Sequence, residues 1–203
     1  MKHPTKVFDE WARCGKDKGM EESHAASVSE ILDYALDKLN TENKQFTFLD
    51  IGCGNGWVAD KLSKKENCIL SIGIDGAENM IINANKRQSK ATFLLKDIND
   101  FILDNEFDLV FSMEVLYYLD NPSKVIKNIY DILAPSGRLI IGIDHYFENK
   151  ECHNWQEKVG TRMHLFHEKK WINFFKNANF KDIFSWRANS NDWAGTLAIT
   201  GTK

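Results

Sequence analysis

Apolar positions Val28, Ile31, Leu32, Ala35, Leu36 and Leu39 recur every three or four residues, with polar residues between them. That spacing predicts an amphipathic helix over 23–40, and Ser27 with Glu30 three residues later reads as a capping box at its start. Further along, the period changes. Apolar runs at 45–51, 69–74, 92–95, 107–112 and 138–143 predict buried strands, separated by helical patterns at 57–63, 77–87 and 122–133. Asn121 before Pro122 marks the start of the last of these helices, and 134–137 reads as a turn into the strand that follows. No clear period runs from Asp144 to Leu165. A helix is then expected over 168–177, with Trp171, Phe174 and Phe175 as core positions. Two aromatic strands, 180–187 and 193–200, follow as an antiparallel edge hairpin.

Strands alternating with helical segments imply right-handed crossovers and a mostly parallel sheet covered on both faces, an α/β fold. The 203 residues fit one domain over 1–203, and 43% hydrophobic with 27% charged residues is a globular composition. No apolar run approaches a membrane span, and the first residues hold no leader-like apolar stretch, so a cytoplasmic location without membrane contact is expected. Four scattered cysteines without a CxxC pair read as free thiols, and no metal site is expected. Net charge is −3. Without a concentrated basic stripe, nucleic acid is not expected as a partner.

The chemistry concentrates in one segment, where the strand ending Phe48-Leu-Asp50-Ile51 runs through Gly52-Cys53-Gly54-Asn55-Gly56 into the helix at Trp57. Open parallel sheets bind ligands at the carboxyl ends of their strands, and the first strand-to-helix turn is the usual contact. Glycines there let a ligand approach main chain. A pyrophosphate site would need a third glycine where Trp57 stands, and Asp50 so close by favours a cationic ligand over phosphates. Asp75, ending the second strand beside Gly76, is placed to take a ribose diol, although it could also cap the next helix. Asp97 and Ile98 follow the third strand at the same rim.

In order, Leu49 to Gly56, Ile72 to Asp75, Lys96-Asp97-Ile98, Phe107 to Leu116 and Leu133 to Ile141 resemble the successive motifs of class I S-adenosylmethionine-dependent methyltransferases. Within them the chain is most similar to small, single-domain enzymes of the quinone-biosynthesis-like group. The resemblance implies a Rossmann-like seven-stranded sheet with an antiparallel final strand, S-adenosylmethionine as cofactor and a small-molecule methyl acceptor. It further implies that Asp50, Gly52, Cys53, Gly54 and Gly56 hold the methionine end, Asp75 and Gly76 the ribose, and Asp97 with Ile98 the adenine. Ser112 and Met113 would lie beside the methionine. An NAD-linked oxidoreductase and a non-catalytic cofactor-binding protein are the competing readings. The acceptor, the methylated atom and the oligomeric state stay open.

Residues 1–42 read as a movable lid followed by a helix, with Trp11 a candidate cofactor contact. Residues 145–166 read as a substrate-recognition insertion, with Tyr146, His153, Trp155 and His164 as candidate contacts. Glu114, Tyr117 and Tyr118 follow the fourth strand and could face the transferred methyl group. His145 is the first candidate base and Tyr117 a second catalytic candidate. His164-x-x-His167 has metal-compatible spacing but no third ligand.

Overall fold

Each central strand alternates between two apolar layers, which is what a sheet buried on both faces requires. Leu49, Ile51, Val110, Leu139 and Ile141 point into one layer, with helices α5 (Pro122–Ile132) and α7 (Glu168–Asn177) over it. Phe46, Phe48, Leu109, Phe111 and Ile140 point into the other, under α2 (Asp17–Lys38), α3 (Trp57–Ser63) and α4 (Glu78–Asn85). The computed structural model describes residues 1–39 and 44–203. Asn40, the expected helix end, and the boundary at 42 lie outside the described residues.

The strands are β1 (Phe46–Ile51), β2 (Cys68–Asp75), β3 (Thr92–Leu95), β4 (Phe107–Met113), β5 (Leu133–Ile143), β6 (Lys181–Ala188) and β7 (Thr196–Thr202), in the spatial order β3-β2-β1-β4-β5-β7-β6. β1 pairs parallel with both β2 and β4, so the strand order reverses between β1 and β4. Their carboxyl ends therefore open a crevice there. β7 runs antiparallel to both β5 and β6, which gives the mostly parallel seven-stranded sheet and the hairpin expected at its edge.

Two local expectations are corrected and one helix is added. The helix expected from 23 begins at Asp17, so Ser27 and Glu30 lie inside α2 and form no capping box. Ser27 instead accepts a hydrogen bond from the Thr196 hydroxyl, and Glu30 accepts from the Trp186 indole and the Asn189 N–H. These side chains bind α2 to the last hairpin. The expected turn at 134–137 is part of β5, which absorbs a register shift against β4 with Ser136 at φ 64°. Finally, 4–13 is helical: α1 (Pro4–Arg13) starts with Pro at its first turn and packs on α4. The Asp9 carboxylate accepts from the Asn79 N–H and side-chain amide, which fixes α1 across the carboxyl ends of β2 and β3.

The stretch 145–166 contains a 3₁₀ turn at Lys150–Cys152 and a short helix α6 (Trp155–Val159). It returns to the chain's beginning, because Lys2 donates its N–H to Gly160 O at 3.0 Å and Thr161 donates its hydroxyl to Lys2 O at 2.9 Å.

Candidate active site

The crevice at the β1–β4 reversal holds a cavity of about 360 Å³. Gly52, Gly54, Asp75, Gly76, Asp97, Ile98 and Met113 line it, seven of the residues expected around the cofactor. Asp75 organises its floor. One carboxylate oxygen accepts the Gly54 N–H at 2.9 Å and the other the Ala77 N–H at 2.8 Å, so the side chain locks the glycine loop to the start of α4. Each oxygen keeps a lone pair for a diol. Burial pushes the Asp75 carboxyl up, while these N–H groups pull it back. Asp97, more exposed, accepts from the Asn99 N–H, and Ile98 beside it is buried.

The glycines divide the work. Gly52, Gly54 and Gly56 all have positive φ. A Cβ on Gly54 would meet nothing nearer than Met80 Sδ at 3.9 Å, so this is where the loop presents bare main chain to the cavity. A Cβ on Gly52 would fall 2.2 Å from Val115, and one on Gly56 2.5 Å from the Phe93 ring. Gly56 therefore serves packing against β3 and faces no ligand space, a correction to its expected role. The buried Ser112 hydroxyl donates to Ile51 O and joins β4 to β1.

A smaller adjoining cavity of about 60 Å³ is lined by Asp50, Cys53, Gly54, Met113, Glu114 and His24, among others. One Asp50 carboxylate oxygen is buried with no hydrogen-bond partner. Burial, then the charge of nearby Asp75, pushes its carboxyl up to about 8. A buried carboxylate lacking a donor beside an open main-chain loop fits an ammonium group. On these observations the residues present fit S-adenosylmethionine.

The acceptor side differs from expectation. Trp11 lies outside the main cavity, packed edge-on to Phe8, and Phe8 with Pro4 and Thr5 forms the wall that α1 contributes. Tyr117 is buried and donates to Glu114 at 2.7 Å, while Tyr118 lines the cavity. His145 is 1% exposed, between Tyr117 and Trp155, with neither ring nitrogen bonded. Burial lowers it to about 4, and it lines neither this cavity nor the smaller one beside it, so it is a core residue and not a base at the methyl site.

Tyr146 is pinned by hydrogen bonds to Ala194 O and Gly195 O. His153 bonds Phe147 O, and Trp155 packs on His145. The His164 ring stacks on Phe166, and His167 pairs with Glu148 rather than joining His164. These contacts turn all four expected substrate residues away from the main cavity; from 145–166 it is exposed Arg162 that lines it.

Sequence reasoning missed a buried polar cluster beside the small cavity. His24 from α2 pairs with Asp144 at the end of β5 at 3.4 Å, and Glu114 accepts the Asp144 N–H. Glu114 sits in the left-handed region, φ 59°, strain that turns the chain just after β4. Burial and the adjacent Asp144 push the Glu114 carboxyl up to about 8. Burial opposes charge on His24, but its hydrogen bond to Asp144, helped by Glu114, outweighs that and raises it to about 9.

Residues 49–141 match a family model described as a methyltransferase domain. The malonyl-[acyl-carrier protein] O-methyltransferase of Bacillus cereus is 30% identical over 115 residues, 56% of this chain and 43% of that one. The ubiquinone biosynthesis O-methyltransferase of Coxiella burnetii is 30% identical over 96 residues, 45% of this chain and 40% of that one. The chain thus spans under half the length of these curated relatives. Among solved structures, the protein in complex with the Haloferax volcanii Trm112 methyltransferase activator superposes with a TM-score of 0.84 at 25% identity, covering 100% of this chain and 98% of that one.

Proposed function

We propose that this chain, whose residues 49–141 match a methyltransferase-domain model, transfers a methyl group from S-adenosylmethionine to a small-molecule O, N or C acceptor. The observation that carries the reading is the Asp75 carboxylate, tied to the N–H of Gly54, the loop glycine that faces open space. Bound there, S-adenosylmethionine supplies a methyl group on a cationic sulfur. Asp50 would face its ammonium, Asp75 and Gly76 its ribose, Asp97 and Ile98 its adenine, with Gly52, Gly54 and Met113 along the methionine chain. Cys53, buried under the loop, supports the loop's shape.

In-line methyl transfer asks the protein mainly to align the two molecules and exclude water. Phe8, Met20, Val115, Tyr118 and Leu119 give the remaining cavity wall an apolar character, and α1 with the Lys2–Thr161 contact covers it as a lid. Tyr117 commits its one proton to Glu114, so the Tyr118 hydroxyl, 3.4 Å away, is the donor of that pair. Arg162 adds a positive charge at the rim, suited to an acidic group on the acceptor. The segment 145–166 contributes to recognition through this residue.

The methyltransferase-domain match supports this reading over the oxidoreductase one, as does Trp57 standing where a dinucleotide loop would carry its third glycine. No helix among the described residues is long and apolar enough to cross a membrane, and the four cysteines are free, which supports a cytoplasmic location. The whole-length likeness to a protein that Trm112 assembles with supports looking for an activator subunit by co-expression.

The deciding experiment compares S-adenosylhomocysteine with NADH by thermal shift and calorimetry, followed by transfer of a labelled methyl group to acceptor pools. Saturable binding of S-adenosylhomocysteine without NADH binding is expected. The reverse result would overturn the proposal.

A further inference from the structure

His24, Glu114 and Asp144 arrive from three separate elements, the middle of α2, the turn after β4 and the end of β5. One ligand atom of each lies within 4.8 Å of the others. We propose that these three side chains form a binding site for a divalent first-row metal ion, beside the methyl-transfer cavity.

Each donor is already oriented from behind. His24 Nδ1 lies 2.7 Å from Met20 O, so that nitrogen carries the proton and donates, and Nε2 is left facing Asp144. Metal-ligating histidines show this arrangement, in which the second ring nitrogen fixes tautomer and ring orientation. Glu114 is held at both oxygens, by the Tyr117 hydroxyl and the Asp144 N–H, and each oxygen has a further lone pair. Asp144 is 6% exposed, and its second carboxylate oxygen is buried with no partner. A buried carboxylate oxygen without a donor is costly unless something cationic meets it.

The donor chemistry narrows the ion. With all their protons released, two carboxylates and one imidazole carry two negative charges, which a divalent cation balances, so metal binding displaces protons. Mixed nitrogen and oxygen ligands suit zinc, manganese, iron or cobalt better than calcium or magnesium, which favour oxygen alone. Three protein ligands leave coordination positions open, as in sites that also take water or substrate. Glu114 and His24 both line the small cavity that adjoins the donor crevice, so an open position would face it.

The test titrates the full chain, stripped with a chelator and dialysed, with zinc and separately with manganese in a calorimeter. One saturable site is expected, weakened at least tenfold in His24→Gln and in Asp144→Asn. Histidine side-chain NMR of the wild type, with and without zinc, reads the same site without any variant, and the His24 ring resonances are expected to shift. Absence of saturable binding, binding unchanged in both variants, or unmoved His24 resonances would each overturn the site. S-adenosylhomocysteine is titrated in parallel. Metal bound without it would overturn the methyl-transfer reading and leave the site standing, and the converse would remove the site alone.

Discussion

The Asp75 carboxylate and the Gly54 N–H lie 2.9 Å apart, and through that contact the end of β2 sets the shape of the loop after β1. One side chain thus serves two purposes, bonding the loop and facing the cavity. Hydrogen bonds to charged groups contribute about 1.5–3 kcal/mol, so Asp75→Ala is expected to weaken S-adenosylhomocysteine binding by roughly one to two orders of magnitude. Calorimetry with intact affinity in a folded Asp75→Ala protein would refute the assignment.

The loop glycines are expected to respond differently to the same substitution. Gly52→Ala drives a methyl group into Val115 at a positive φ, a core clash costing about 1–3 kcal/mol in addition to about 1–2 kcal/mol of backbone strain. Gly54→Ala meets strain without a clash, so its melting temperature should fall less while its donor affinity falls more. Equal thermal losses in the two variants would contradict this division.

His145 offers a second contrast. Its unpaired ring lies between Tyr117 and Trp155, so His145→Ala opens a cavity and should cost about 2–4 kcal/mol of unfolding free energy. His145→Phe keeps an aromatic ring of somewhat larger volume and removes two unpaired polar atoms, and it should recover part of that loss. Donor affinity should stay within about twofold in both, since the ring lines neither cavity. A His145→Phe protein as unstable as the alanine variant would show that the nitrogens have partners in solution.

Asp50 and His24 give a pH dependence with a definite sign. Asp50 is raised to about 8 and His24 to about 9, so the folded chain holds protons that the unfolded chain releases. Stability must then fall as pH rises, through the window from the ordinary carboxyl range to about 8 for Asp50 and from 6.5 to about 9 for His24. Urea unfolding in chelator should show a lower midpoint at pH 9 than at pH 6, with a smaller difference in Asp50→Asn. A midpoint that climbs over this range would be the contrary result.

The sheet and the donor side were legible because their signals are local. Apolar runs alternate with helical periods, and the loop from Asp50 to Gly56 with Asp75 one strand later is contiguous in sequence as in space. The acceptor side is assembled from far apart: besides Glu114, which its place after β4 did point to, it takes Phe8 on α1, His24 on α2 and Arg162 beyond α6. Nothing in the spacing of those residues reports that they meet. His145 shows the same limit at the scale of one residue. At a strand end, successive side chains point opposite ways, and the polar position that joins the cluster by the small cavity is its neighbour Asp144. Likewise α1 was missed because its Asp9 contact with Asn79 and its packing on α4 are tertiary.

Lys2 and the 160–161 segment are joined by two hydrogen bonds above the main cavity. At about 0.5–1.5 kcal/mol each, such a clasp comes undone roughly 0.6–16% of the time. A molecule small enough to slip beneath it could leave freely. If the lid proposed above covers the cavity, a bulkier one would have to wait for the clasp to part, and the departure of the spent nucleoside, rather than the bond-making event, would be the step this contact paces.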